Sequence, residues 1–143
     1  MALTKAMSSF LLKRWIAPFF LFFTAASARG VEMITPHDAN LLSDADKAVI
    51  VDVREMAELK ETGIAKPAAW LAKSEVDGKS DLYQAMLKNW DKKKPLIFYC
   101  RSGKRAAVVA DHFEKLGFSA KNMGSLSDWS AAGLPVVPFE KRR

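Results

Sequence analysis

The chain has 143 residues, enough for one domain of ordinary size but not for two. Its net charge is +6, and three of the cations lie in the first 28 residues, so the remainder is only mildly basic. This balance argues against a nucleic-acid-binding protein. One cysteine excludes an internal disulfide framework, and one cysteine with two scattered histidines offers no ligand spacing for a metal. A glycine-rich nucleotide loop is also absent from the sequence, so we expect neither a metal nor another cofactor.

The first 28 residues have the order of a secretory signal peptide. Cations lie within residues 1–14, an uncharged apolar run follows at residues 15–26, and Ala26-Ser27-Ala28 supplies the small residues that a signal peptidase reads. The apolar run is shorter than the ~20 residues that span a bilayer as a helix. We therefore expect cleavage before Arg29 and export, to a bacterial periplasm. The alternative is an uncleaved anchor, and membrane contact is expected only through this segment.

The first half of the remaining chain alternates helix and strand signals. Thr35-Pro36 is typical of a helix start, because a hydroxyl cap precedes a proline at the first helical position. A short apolar and β-branched run predicts a buried strand over residues 48–53. Helices are predicted over residues 36–42, over 54–61 before Gly63, and over 80–90 with Ser80 as the cap, whereas residues 64–79 are predicted to be irregular.

The second half continues this alternation. Strands are predicted over residues 96–99 and 118–123, and helices over 104–116 and 127–133. Strands that alternate with helices indicate an α/β fold with a central, mostly parallel sheet flanked by helices. Ligands bind such folds outside the carboxyl ends of the strands. Cys100 follows one buried strand and residues 52–54 end another, so both are expected on the same rim of the sheet.

The residues after Cys100 favour a reactive cysteine over a structural one. The turn Arg101-Ser102-Gly103 leads into a predicted helix, so free backbone N–H groups and the positive end of the helix dipole face the sulfur. Gly103 permits a tight curl, and Arg101, Lys104 and Arg105 add positive charge. Such a loop can hold a thiolate, a persulfide or an anionic donor without a metal.

Other polar residues are assigned smaller parts. His112 lies well along the predicted helix, roughly 13 Å from its start at 1.5 Å per residue, so it is not expected to act as a base for Cys100. His37 is expected at the surface. Asp52 and Arg54 are expected to form an ion pair, buried or at the rim of the pocket, with a direct substrate role as the weaker alternative.

Three segments together resemble the single-domain rhodanese family. They are Val51-Asp-Val-Arg-Glu55, Phe98-Tyr-Cys-Arg-Ser-Gly-Lys-Arg-Ala106, and Gly124 to Val136 with Trp129-Ser-Ala-Ala-Gly-Leu-Pro-Val. The resemblance spans about residues 31–138 and implies one rhodanese-like domain over residues 29–143. It also implies sulfur transfer through a persulfide on a catalytic cysteine, which maps onto Cys100 in a six-residue loop ending at Arg105. The chain departs from the family at Thr62-Gly63-Ile64, where Gly-His-Ile is usual.

The resemblance implies a small anionic sulfur donor such as thiosulfate and a thiophilic acceptor, either cyanide or a thiol. Arg101, Ser102, Gly103, Lys104 and Arg105 would bind the donor. One alternative is a non-catalytic carrier that delivers its persulfide to a partner protein. Another is a cysteine-dependent phosphatase or arsenate reductase. Those families place five residues between cysteine and arginine, whereas four separate Cys100 from Arg105.

Overall fold

A computed structural model describes residues 30–140 of the chain. The segment predicted to be a signal peptide, residues 1–28, lies outside the described residues. The main sheet has five strands in the order β1-β6-β5-β2-β4, and every neighbouring pair is parallel. Its strands are β1 (Glu32–Met33), β2 (Val49–Asp52), β4 (Ala69–Trp70), β5 (Leu96–Cys100) and β6 (Ala120–Ser125). A small antiparallel pair joins β3 (Ile64–Ala65) to β7 (Val136–Val137).

Helices cover both faces of the main sheet. They are α1 (Pro36–Asp44), α2 (Met56–Thr62), α3 (Lys73–Asp77), α4 (Asp81–Asn89), α5 (Lys104–Lys115) and α6 (Leu126–Ala131). Alternate residues of each strand point to opposite faces. Phe98 and Cys100 therefore pack in the core cluster that contains Phe113 of α5, whereas Tyr99 packs in the second cluster with Trp129 of α6. The predicted α/β architecture, with helices flanking a mostly parallel sheet, is confirmed.

The capping signals place most helices where the sequence predicts them. Thr35 Oγ1 accepts a hydrogen bond from the N–H of Asp38 at 3.1 Å. Ser80 Oγ accepts one from the N–H of Tyr83 at 3.2 Å. These bonds satisfy amide groups that have no partner inside their helices. The last helix begins slightly earlier than predicted, because Ser125 rather than Ser127 caps α6.

The prediction of an irregular segment over residues 64–79 is wrong. This segment contains β3, β4 and α3. β4 extends the main sheet at its edge, where Ala69 and Trp70 pair with Val51 and Asp52 of β2. A strand of two residues shows no periodicity along the sequence, so its presence depends on the neighbouring strand. β1 and β7 are also two residues long and were not predicted for the same reason.

Candidate active site

Cys100 is the last residue of β5, the central strand of the main sheet. β5 lies between β2 and β6, so Cys100 has strands on both sides, with Ser125 opposite it in β6. The residue is fully buried. Its Sγ accepts a hydrogen bond from the backbone N–H of Gly103 at 3.0 Å. The predicted position at the carboxyl end of a strand, with a loop amide donating to the sulfur, is therefore confirmed.

The loop that follows Cys100 depends on a glycine and on an anchor from β6. Gly103 is the N-cap of α5 and has a φ of 83°, in the left-handed region that favours glycine. A Cβ at this position would lie 3.3 Å from the Cα of Gly124. The buried Asn122 donates from Nδ2 to the carbonyl of Gly103 at 3.0 Å and accepts from the N–H of Gly124 at 2.9 Å. This amide side chain ties the loop to the neighbouring strand.

Of the three loop cations, Arg105 has a fixed carboxylate partner. Its Nη1 and Nη2 donate to the two carboxylate oxygens of Glu58 in α2 at 2.7 and 2.8 Å. The hydrogen bond from Arg105 lowers the pKa of Glu58 to about 2, against the opposing effect of burial. The same bond raises the pKa of Arg105, with smaller contributions from Cys100. Arg101 and Lys104 are exposed.

Asp52 and Arg54 form the ion pair that the sequence predicts, and it is buried. Arg54 is 3% exposed and Asp52 is 0% exposed. Nη2 of Arg54 lies 2.6 Å from Oδ2 of Asp52 and also donates to the carbonyl of Gly63 at 2.7 Å. Nη1 donates to Oγ1 of Thr62 at 2.8 Å. Burial lowers the pKa of Arg54, but hydrogen bonding and charge from Asp52 outweigh it, so this pKa is raised.

A cleft of about 720 Å³ lies beside the loop. Charged and hydroxyl side chains contribute to its lining, among them Arg54, Glu58, Glu61, Arg101, Ser127 and Ser130. The lining therefore includes two cations and two carboxylates. Cys100 does not line the cleft, which agrees with its complete burial.

The structure brings several of the proposed site residues together, but their roles stay predictions. Arg101 and Arg54 line the cleft, Gly103 contacts the sulfur, and Asp52 lies behind Arg54 without lining the cleft. The exposed Ser102 lies in the turn before Gly103. Sequence reasoning missed Glu58. A possible signal was the arginine that closes the loop, because a half-buried cation needs an anionic partner.

The histidines lie apart from this chemistry. Nε2 of His112 is hydrogen-bonded to the hydroxyl of Tyr83 at 2.7 Å, and His37 is exposed, as predicted. Within residues 30–140, no group of three or more histidine, cysteine, aspartate or glutamate side chains could hold a metal ion. No helix in the same range is long and apolar enough to cross a membrane.

Comparison with solved structures identifies similar folds. A protein of unknown function from Rhodopseudomonas palustris, described as a possible tyrosine phosphatase, is 26% identical with a TM-score of 0.62, over 75% of this chain and 85% of that one. A rhodanese-related protein from Thermoplasma volcanium is 25% identical with a TM-score of 0.60, over 76% and 99%. The polysulfide-sulfur transferase homodimer from Wolinella succinogenes is 25% identical with a TM-score of 0.62, over 78% and 82%. No curated protein sequence matches the chain significantly.

The sequence also matches a family description directly. The match is to the rhodanese-like domain and covers residues 35–132, which is more than half of the chain. This range includes β2 with its ion pair, α2 with Glu58, and the loop after Cys100. The chain therefore belongs to the rhodanese-like domain family.

Proposed function

We propose that the protein is a sulfurtransferase that carries sulfur as a persulfide on Cys100. Membership of the rhodanese-like family, together with a neighbour named as a polysulfide-sulfur transferase, supports sulfur transfer at the level of the family. The observation that carries the finer proposal is the hydrogen bond from the N–H of Gly103 to Sγ of Cys100. A backbone donor at the start of α5 stabilises negative charge on this sulfur, whether it belongs to a thiolate or to a persulfide.

The proposed reaction has two halves. The Cys100 thiolate attacks the outer sulfur of thiosulfate, the sulfur–sulfur bond of the donor breaks, and sulfite leaves with the bonding electron pair. Cys100 then carries a persulfide. A thiophilic acceptor, either cyanide or a thiolate, attacks the outer persulfide sulfur and regenerates the Cys100 thiolate. Cys100 is fully buried and does not line the cleft, so the proposed reaction requires the donor to reach the sulfur past the residues that cover it.

Turnover of thiosulfate with cyanide tests this proposal. The wild type should form thiocyanate over many cycles, and Cys100→Ser should form none while keeping the wild-type circular dichroism spectrum. Multiple turnover distinguishes an enzyme from the alternative, a carrier that delivers its persulfide to a protein. A Cys100→Ser variant with wild-type turnover would disprove the role of the cysteine. One sulfur taken up per chain without turnover would favour the carrier.

A phosphatase is the second candidate, because one structural neighbour is described as a possible tyrosine phosphatase. The loop geometry argues against it here. Four residues separate Cys100 from Arg105, so the loop is one residue shorter than the phosphatase loop and suits a sulfur atom better than a phosphoryl group. Steady hydrolysis of p-nitrophenyl phosphate that depends on Cys100 would reverse this choice.

We also propose export to a periplasm, because of the charged, apolar and small-residue order of residues 1–28. A mature N-terminus at Arg29 on protein purified from the periplasmic fraction would support this. Recovery of the intact Met1 chain from the cytoplasm would contradict it.

A further inference from the structure

Two arginines of the candidate site are already paired with carboxylates. Arg105 is joined to Glu58 by two hydrogen bonds, and Arg54 is joined to Asp52 by a buried ion pair. A sulfur donor that approaches the loop therefore meets two arginines whose charge is already balanced by carboxylates, and the exposed cations Arg101 and Lys104. The sequence alone predicts that Arg105 binds the anionic donor and gives no sign that a carboxylate already pairs with it.

The position of Glu58 favours a stable ion pair with Arg105. Its Oε2 accepts from both Nη1 of Arg105 and the backbone N–H of Glu55, at 2.7 and 2.9 Å. Glu58 lies in the first turn of α2, where the helix dipole favours a negative charge. The Glu58 carboxylate is thus held on a helix. It accepts the two parallel N–H hydrogen bonds of Arg105 that a donor oxyanion would otherwise accept.

We propose that Glu58 determines the charge selectivity of the site by holding Arg105 in this ion pair, so that doubly charged sulfur donors are disfavoured relative to singly charged ones. This inference rests on the proposed sulfur transfer through Cys100. Glu58 acts through Arg105 and is therefore a positioning residue. The donor class that the site then favours is a sulfane-sulfur compound with a single negative charge.

Two donors that differ by one charge test the inference. Thiosulfate is a dianion and releases sulfite, whereas methanethiosulfonate is a monoanion and releases methanesulfinate. In both cases the Cys100 thiolate attacks the terminal sulfur, the sulfur–sulfur bond breaks, and the electron pair leaves with the sulfinate or sulfite. Both donors react by the same step, so the effect of a variant on the ratio of the two kcat/KM values reports on donor charge.

The decisive variant is Glu58→Gln, which removes the charge and nearly keeps the shape. The ratio of kcat/KM for thiosulfate to that for methanethiosulfonate should rise by about three- to tenfold, mainly through a lower KM for thiosulfate, because the charge of Arg105 is no longer balanced by a carboxylate. The kcat/KM for thiosulfate should also become more sensitive to salt.

The matched control is Glu61→Gln, since Glu61 lines the same cleft but makes no hydrogen bond to Arg105. The ratio of the two kcat/KM values in Glu61→Gln should differ from that of the wild type by less than about twofold. A change of this size is what we expect from removing one charge from the cleft without freeing Arg105.

A second variant separates charge from folding. Glu58→Asp keeps the negative charge, so its ratio should remain near that of the wild type even if its overall rate falls. A ratio in Glu58→Gln that stays the same or falls would overturn the inference, as would an equal rise in Glu61→Gln. Wild-type protein that takes sulfur from neither donor would instead refute the proposed function, so the two failures are distinguishable.

Discussion

The two arginine–carboxylate pairs of the candidate site differ in burial and in the sequence separation of their partners. Asp52 and Arg54 are two residues apart at the end of β2 and are almost completely buried. Glu58 and Arg105 come from different helices, and their side chains are 26% and 30% exposed. Arg54 of the first pair also donates to the hydroxyl of Thr62 and to the carbonyl of Gly63, whereas the second pair lies beside the loop. Similar chemistry is thus buried at the end of β2 in one pair and partly exposed to solvent beside the loop in the other.

Breaking the buried pair should have the largest effect on stability. Asp52→Asn leaves the Arg54 guanidinium buried without its counter-ion, and removing one partner of a buried pair costs about 3–5 kcal/mol. We expect the free energy of unfolding, measured by urea denaturation, to fall by that amount. A loss below about 1 kcal/mol, typical of exposed pairs, would show that the buried pair is not structural.

Breaking the pair at the loop should affect activity more than folding. Arg105→Ala leaves the Glu58 carboxylate without its partner beside the loop, so we expect it to repel both the thiolate and the donor. We expect kcat/KM for thiosulfate to fall about ten- to a hundredfold, equivalent to ~1.4–2.8 kcal/mol. Arg101→Ala should cost less, because an exposed charge is screened.

The double variant Arg105→Ala/Glu58→Gln sharpens this prediction. If the unpaired carboxylate causes the loss, its removal should restore part of the thiosulfate activity. A double variant no more active than Arg105→Ala would indicate that the guanidinium itself contacts the donor.

The pair at the loop should also leave a signature in the pH dependence of stability. The pKa of Glu58 falls from 4.5 to about 2 on folding. A lowered pKa contributes stability above the unfolded value, and that stability is lost as pH falls from about 4.5 to about 2. Partial exposure reduces the contribution to about 1–2 kcal/mol. The stability difference between wild type and Glu58→Gln, measured by urea denaturation, should therefore shrink across this pH range. A constant difference would contradict the assignment.

The smallest effect is expected for a pair on the surface of α5. Lys115 and Asp111 are joined at 2.6 Å, but their side chains are 73% and 53% exposed. Asp111→Asn should change the free energy of unfolding by less than about 0.5 kcal/mol, because solvent and salt screen an exposed helical pair. A loss as large as that of Asp52→Asn would remove the distinction between buried and exposed pairs.

Local chemistry explains what the sequence could predict. The buried strands β2 and β5 are continuous apolar runs, and Thr35 and Ser80 are recognisable helix caps, so these elements follow from neighbouring residues alone. The position of Cys100 follows equally directly from the strand before it and the helix after it.

Contacts between distant residues explain what the sequence could not predict. Glu58 and Arg105 are 47 residues apart, and Asn122 reaches Gly103 across 19 residues. These partners depend on how α2 and β6 are placed by the sheet. The prediction that Arg105 binds the donor therefore takes no account of the carboxylate that pairs with it.

The most direct test of the central claim is the intact mass of the purified protein before and after treatment with a sulfur donor, thiosulfate or methanethiosulfonate. The wild type should gain the mass of one sulfur atom per chain, and cyanide should remove it. Cys100→Ser should gain nothing. Sulfur uptake by Cys100→Ser, or a wild-type mass that neither donor changes, would contradict a persulfide on Cys100.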